Sequence, residues 1–248
     1  MTYAGLDIGS RTIVLVEFDG EVHDFRIVDA GPNPLQRCES ILGGRAYRRL
    51  VATGYGRRLA AGALADGIVS EIKAYALGAR HLYPDSRTVI DVGGQDCKAS
   101  RLSENGNVER FEMNDRCAAG TGAFLEAMAR TLEVPIAELG AHALAAGSMV
   151  RINSLCTVFA QSEVVSLVAR GADSRAIAHG AHEAIATRVA GMARRVSPKE
   201  RIVFAGGGAL NRCLHQLLSY KLGLELAVPN DPQIIGALGA ALVAAREG

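Results

Sequence analysis

A short pattern that occurs twice constrains the fold of this chain more than any other feature. Leu6-Asp-Ile-Gly-Ser10 and Ile90-Asp-Val-Gly-Gly94 each end an apolar segment with an aspartate, a glycine and a small residue. A second alternating segment follows each copy, at Thr12–Phe18 and at Lys98–Ser103. Alternation indicates strands, and glycine permits a tight turn between them. The repeat therefore predicts two similar halves that face each other across a cleft.

Helical segments alternate with strands along the rest of the chain, which predicts an α/β fold. Helices are predicted at Arg57–Leu64, Ile72–Tyr83 and Asp173–Arg195, and Arg201–Ala205 is typical of a short buried strand.

Two strongly apolar segments are also predicted to be helical. Ile234–Ala245 is shorter than the ~20 residues that span a bilayer, so we expect a buried helix there. Phe159–Ala169 is apolar on nearly every side, which predicts deep burial. We assign 1–85 and 233–248 to the first half, and 86–232 to the second half.

The charge balance argues against nucleic acid and membranes as partners. The 248 residues include 27 lysines and arginines against 26 acidic residues, for a net charge of +1, and no basic run occurs. The number of cysteines is odd, at five, and an aspartate stands near the start, where a signal peptide would be apolar. Reduced thiols are typical of the cytosol, so we expect a cytoplasmic protein.

Two of the cysteines stand just before predicted helices. Cys117 lies in the stretch Met113–Phe124, and Cys156 precedes an apolar helical run. The unpaired N–H groups at a helix start favour a thiolate, which makes both residues candidate metal ligands. An iron–sulfur cubane takes four thiolates, so two chains around a twofold axis would complete the set. Buried small hydrophobic residues and a bridging zinc site are the alternatives.

The other cysteines and the histidines carry weaker patterns. Cys38, Cys97 and Cys213 are predicted not to be ligands. His179 and His182 stand three residues apart on a predicted helix, which indicates a solvated face more often than a metal site.

Three glycine-rich turns follow strands, at Asp7–Thr12, Asp91–Asp96 and Ala205–Asn211. An aspartate at a strand end can hold a hydrated divalent cation, and glycine lets a ligand approach the backbone. The set of turns resembles the actin, Hsp70 and sugar-kinase superfamily, in which two hairpin turns hold phosphates and Mg²⁺ and a third glycine turn faces adenosine. The Gly-x-x-x-x-Gly-Lys-Ser/Thr pattern of P-loop proteins does not occur in the sequence.

A narrower resemblance covers nearly the whole chain. The motifs Asn114–Gly122, Cys156–Glu163, Thr53–Gly56, Ile90–Asp96 and Gly236–Leu242 resemble those of the ATP-dependent activators of 2-hydroxyacyl-CoA dehydratases, a group that includes the ATPase subunits of benzoyl-CoA reductase. The resemblance implies an actin-like (ribonuclease H-like) ATPase fold and a homodimer that shares one [4Fe-4S] cluster. It further implies that ferredoxin or flavodoxin donates an electron, which passes to an iron–sulfur dehydratase or reductase as ATP is hydrolysed.

The resemblance also implies roles for individual residues. Catalysis with Mg²⁺ would depend on Asp7, Asp91 and Gln95, and the cluster ligands would be Cys117 and Cys156. The ATP-binding residues would be Gly9, Ser10, Arg11, Thr12, Gly93, Gly94, Gly120, Thr121, Gly122, Glu126, Gly206, Gly207, Gly208, Asn211 and Gln233. The chain departs from the usual pattern at Arg11 and Cys97, where hydroxyl residues are common, and near Leu210, where a basic residue is common.

Two other functions are compatible with the same fold. A small-molecule kinase would need an acid to deprotonate a substrate hydroxyl, and Asp96 is available for that role. An assembly protein of actin type would also bind ATP. Neither alternative explains two cysteines at helix starts.

Overall fold

The computed structural model describes residues 2–114, 120–152 and 156–248, and they form two compact units. Unit 1 contains the residues up to Val89, with Ser100–Phe111 and Pro229–Gly248, and unit 2 contains Ile90–Ala99 and Glu112–Val228. This division differs from the bounds predicted from the sequence chiefly in placing Ser100–Phe111 with the first unit.

Unit 1 contains a five-stranded sheet and four helices, the last of which comes from the C-terminal end of the chain. Its strands are β1 (Tyr3–Ile8), β2 (Thr12–Phe18), β3 (Val22–Asp29), β4 (Arg49–Thr53) and β5 (Gly67–Ile68), in the order β3-β2-β1-β4-β5. Its helices are α1 (Pro34–Leu42), α2 (Arg57–Ala60), α3 (Glu71–Leu82) and the C-terminal α9 (Ile235–Glu247). Strand β1 pairs antiparallel with β2 and parallel with β4.

The C-terminal helix α9 is buried because glycines let backbones approach one another closely. A Cβ atom on Gly5 of β1 would lie 1.9 Å from the Ala237 carbonyl oxygen, and one on Gly239 would lie 1.8 Å from the Ala74 carbonyl oxygen of α3. Any larger residue at these positions would push the elements apart. The prediction of a buried helix at the C-terminus is confirmed.

The second sheet repeats the antiparallel hairpin and adds two parallel strands. Its strands are β6 (Thr88–Val92), β7 (Cys97–Leu102), β8 (Val108–Asn114), β9 (Ile202–Ala205) and β10 (Leu226–Ala227), in the order β10-β9-β6-β7-β8. The helices of unit 2 are α4 (Gly122–Thr131), α5 (Ile136–Leu144), α6 (Thr157–Ala169), α7 (Ser174–Arg195) and α8 (Arg212–Leu222). One apolar core fills unit 2 and includes Ile90, Phe124, Met128, Ile185, Phe204 and Leu214.

Two sequence predictions about helices are wrong. Helix α2 ends at Ala60, four residues earlier than predicted, because Ala61 is extended and Gly62 has a positive φ of 74°.

Helix α6 is not deeply buried, contrary to the prediction from its apolar sequence. Val158 and Phe159 are each 67% exposed and Val165 is 57% exposed. The buried residues of this helix are Ala160 and Val164.

In the described part of the chain, no helix has both the length and the apolar character needed to cross a bilayer.

Candidate functional site

The first glycine turn closes the hairpin between β1 and β2. The Gly9 amide donates a hydrogen bond of 3.0 Å to the Thr12 carbonyl oxygen. Ser10 and Arg11 are exposed at the tip of the turn, and Asp7 is buried near the end of β1. The turn thus presents backbone amides, a hydroxyl and a guanidinium, which are groups that bind phosphate.

Glycines from two distant segments make room for the Asp7 carboxylate. A Cβ atom on Gly54 would lie 2.4 Å from Asp7 Oδ1, and one on Gly236 would lie 2.2 Å from Asp7 Oδ2. Gly54 also has a φ of +90°, which side chains disfavour. Gln233 is half-buried three residues before Gly236. Both oxygens of this buried carboxylate therefore pack against backbone that only glycine permits at these positions. A carboxylate at a strand end is a group that a hydrated divalent cation can use as a ligand.

The second turn repeats the first one in its hydrogen bonding. The Gly93 amide donates to the Asp96 carbonyl oxygen over 2.9 Å, which closes the hairpin between β6 and β7. Gly94 is half-buried, Gln95 is exposed at the tip, and Asp91 is 3% exposed in β6. The repeat seen in the sequence is therefore a repeated turn in the structure.

The third glycine turn packs against the end of β6. A Cβ atom on Gly206, which has a φ of +79°, would lie 2.2 Å from Asp91 Oδ1, and one on Gly208 would lie 2.6 Å from the Val92 Cβ. Gly207 is exposed, and Asn211 caps α8 by accepting a hydrogen bond of 3.0 Å from the Leu214 amide. Unit 2 thus brings Asp91 and the second and third turns together.

Helix α4 begins on the second turn. The amides of Gly122 and Ala123 donate hydrogen bonds of 2.8 Å to the carbonyl oxygens of Gly93 and Gly94. Gly120 and Thr121 are buried just before the helix, and Glu126 is half-buried in its second turn. Two backbone hydrogen bonds therefore join the second turn directly to the start of α4.

The cysteines fall into different environments. Cys156 is exposed and is the N-cap residue of α6, and its carbonyl oxygen accepts a hydrogen bond of 2.9 Å from the Ala160 amide. Cys117 lies outside the described residues. Burial raises the pKa of Cys38 to about 11 and those of Cys97 and Cys213 to about 12, so these three thiols stay protonated at neutral pH.

An exposed cysteine at a helix start fits a cluster ligand, because a metal can reach its sulfur and the positive end of a helix favours a negatively charged cluster. Among residues 2–114, 120–152 and 156–248, no group of three or more histidine, cysteine or acidic side chains is placed to hold a metal ion.

Sequence reasoning missed Lys98, which is buried beside the second turn. Its Nζ atom lies 2.7 Å from Asp96 Oδ2 and 3.4 Å from Asp91 Oδ2. The available signal was a lysine in a predicted strand, two residues after Asp96, because residues two apart in a strand lie on the same face.

Sequence reasoning also placed His182 on a solvated face, which is wrong. The ring is fully buried; its Nδ1 lies 2.7 Å from the Ala178 carbonyl oxygen and its Nε2 lies 2.9 Å from Asn211 Nδ2. Burial lowers the pKa of His182, and a neutral ring can donate from Nδ1 and accept the Asn211 amide at Nε2. His182 therefore orients the Asn211 side chain beside the third turn.

Comparison with known proteins identifies the family. The sequence model of the BadF/BadG/BcrA/BcrD ATPase family matches residues 42–244. The chain belongs to this ATPase family. It is 44% identical to the (R)-2-hydroxyglutaryl-CoA dehydratase activating ATPase of Acidaminococcus fermentans, with 98% of this chain and 96% of that one covered. It is 30% identical to one of the subunits of benzoyl-CoA reductase from Thauera aromatica, over 96% of this chain and 91% of that one.

A solved structure extends the match to the fold of the ATPase. The activator of the 2-hydroxyisocaproyl-CoA dehydratase from Clostridium difficile, with bound ADPNP, superposes with a TM-score of 0.92 at 37% identity and covers 100% of this chain and 95% of that chain. The α/β ATPase fold and the family predicted from the sequence are confirmed. The individual ATP and cluster residues stay predictions.

Proposed function

We propose that this ATPase is an activator that couples ATP hydrolysis to the delivery of one electron to an iron–sulfur enzyme, a 2-hydroxyacyl-CoA dehydratase or a related reductase. One observation carries the proposal: Cys156 is an exposed thiol at the N-terminus of α6, in a chain that dehydratase activators match over nearly its whole length. Reduced ferredoxin or flavodoxin would be the donor, and the cytoplasm would be the compartment.

The cluster is proposed to lie between two copies of the chain. Cys117 and Cys156 of each copy would supply the four thiolates of one [4Fe-4S] cluster, which when bound provides one-electron transfer at low potential. The exposed apolar side of α6 supports a homodimer, because Val158, Phe159 and Val165 extend from the helix start next to Cys156. Exposed apolar patches of this kind mark interfaces.

The two hairpin turns are proposed to bind the phosphates. Asp7 and Asp91 would hold Mg²⁺ through water, and the turns Gly9–Thr12 and Gly93–Gln95 would donate backbone amides to phosphate oxygens. Gly206–Gly208 would face adenosine. The ATP-binding roles of Gly120, Thr121, Gly122, Glu126, Asn211 and Gln233 are part of the same proposal.

Coupling between ATP and the cluster is proposed to run through the start of α4. The amides of Gly122 and Ala123 donate hydrogen bonds to the carbonyl oxygens of Gly93 and Gly94, so a phosphate that shifts the second turn would also shift the start of α4. ATP can change the cluster surroundings only by favouring one arrangement over another.

We therefore expect an iron chelator to remove iron at different rates from the ADP-bound and the ADPNP-bound protein, by severalfold. Rates are measured by absorbance of the iron–chelator complex in stopped flow without oxygen. Gly122→Ala should reduce the difference, since its Cβ atom would lie 3.1 Å from the Gly93 carbonyl oxygen. Gly191→Ala, whose Cβ atom meets no atom within 4 Å, is the matched control. Equal rates in the two nucleotide states of the parent protein would contradict the coupling.

The proposed function itself is tested by anaerobic purification. The protein should be brown, contain about four irons per dimer and hydrolyse ATP. Reduced protein with ATP should pass electrons to a 2-hydroxyacyl-CoA dehydratase, measured as formation of the enoyl-CoA product. The benzoyl-CoA reductase alternative has weaker support. The chain is 30% identical to the benzoyl-CoA reductase subunit, against 44% to the dehydratase activating ATPase. A colourless preparation, free of iron and zinc, that phosphorylates a small hydroxyl compound would favour the kinase alternative.

A further inference from the structure

Lys98 is enclosed with two carboxylates at the second glycine turn. Its side chain is 5% exposed, and Nζ lies 2.7 Å from Asp96 Oδ2 and 3.4 Å from Asp91 Oδ2. The Asp91 side chain is as deeply buried, at 4% exposure, whereas that of Asp96 is 20% exposed. Charges in so enclosed a place interact far more strongly than they would in water.

The two aspartates are oriented in the same way around this ammonium group. Each one directs Oδ2 to Lys98 and Oδ1 to a glycine backbone, because a Cβ atom on Gly206 would lie 2.2 Å from Asp91 Oδ1 and one on Gly93 would lie 2.8 Å from Asp96 Oδ1. Lys98 therefore contacts both carboxylates from one side, while the two glycine turns pack closely against their other oxygens.

We propose that Lys98 determines which form of the metal binds to these two carboxylates. It disfavours a bare divalent cation and favours one that is bound to nucleotide phosphates. Two carboxylates and one ammonium carry a net single negative charge. Because the Lys98 ammonium offsets one of the two carboxylates, a bare divalent cation meets only this reduced attraction in return for the hydration that it loses. A metal–nucleotide complex brings its own negative phosphates, which the Lys98 ammonium attracts. The inference rests on the proposed ATP site and makes Lys98 a positioning residue in it.

The test uses Mn²⁺ without nucleotide as the probe, with free Mn²⁺ followed by electron paramagnetic resonance. The parent protein should take up Mn²⁺ at this site only when ADP is added. Lys98→Gln removes the repulsion and should bind Mn²⁺ alone about tenfold more tightly or better. Lys98→Arg keeps the charge and should behave as the parent does. Lys73→Gln removes an exposed lysine in unit 1 and is the control for total charge.

A gain of metal binding is a readout that a merely structural role for Lys98 would not produce. Asp96→Asn combined with Lys98→Gln restores the single negative charge without the lysine, and it should lose most of the gain. If Lys98→Gln binds Mn²⁺ no better than the parent, the inference is wrong. Tight Mn²⁺ uptake by the parent protein without nucleotide overturns it as well, whether or not the variants fold.

Failure of the proposed function gives a different result. The parent protein would then show no ATP or ADP binding by calorimetry in the presence of Mg²⁺, whereas the Mn²⁺ comparison between the parent and Lys98→Gln needs neither nucleotide nor cluster.

Discussion

Cys156→Ser is expected to remove the iron from anaerobically prepared protein in both subunits, and Cys117→Ser should do the same. Serine is not deprotonated at neutral pH and is a poor ligand for iron, and a cubane with two of its four ligands replaced around the twofold axis is not retained. Iron and sulfide content and the visible absorption of the cluster measure the loss. Sedimentation in the same buffer should show a weakened dimer, since the cluster would join the two copies.

The three buried cysteines provide matched controls. Cys38, Cys97 and Cys213 are at most 2% exposed, and burial raises the pKa of each thiol, so serine there should leave the iron content unchanged. Each of these variants buries a hydroxyl and is expected to lose about 1–3 kcal/mol of stability, so iron is compared on folded protein. Full iron content in Cys156→Ser would refute the shared cluster.

Asp7→Asn and Asp91→Asn are each expected to lower the rate of Mg-ATP hydrolysis by about a hundredfold or more. Both carboxylates are buried against glycine backbone, so the amide keeps the shape of the side chain and removes the charge that would hold the hydrated cation. At Asp91 it also removes the ion pair with Lys98. Steady-state phosphate release at saturating Mg-ATP measures the effect. Gly206→Ala should also impair hydrolysis, since its Cβ atom would lie 2.2 Å from Asp91 Oδ1 and its φ is positive.

The control for these variants is Asp173→Asn. Asp173 is an exposed carboxylate that caps α7, and asparagine is an equally good N-cap residue, so stability and hydrolysis should stay at the parent level. Hydrolysis at the parent rate in both Asp7→Asn and Asp91→Asn would show that these aspartates do not hold the metal.

Local features of the fold were predictable from the sequence for local reasons. The hydrogen bonds from Gly9 to Thr12 and from Gly93 to Asp96 close two-residue loops, and the alternation and the glycines that specify such loops are contiguous in sequence. The burial of α9 was predictable as well, because its glycines and alanines recur along one short segment.

Helix α6 shows why composition does not settle burial. Its apolar residues predicted an interior position, yet Phe159 is 67% exposed. Whether an apolar side chain is covered depends on what packs beside it, and in the proposed dimer that neighbour belongs to another copy of the chain.

The sequence by itself determined the α/β class, the repeated turns, the family and the candidate residues, since each of these depends on residue types at fixed short spacings. Only the tertiary structure decided that Gly236 makes room for Asp7, that His182 orients Asn211, and that Lys98 lies between two aspartates. Contacts such as those from Gly236 to Asp7 and from His182 to Asn211 join residues far apart in the chain, and burial and charge pairing arise only when folding brings such segments together.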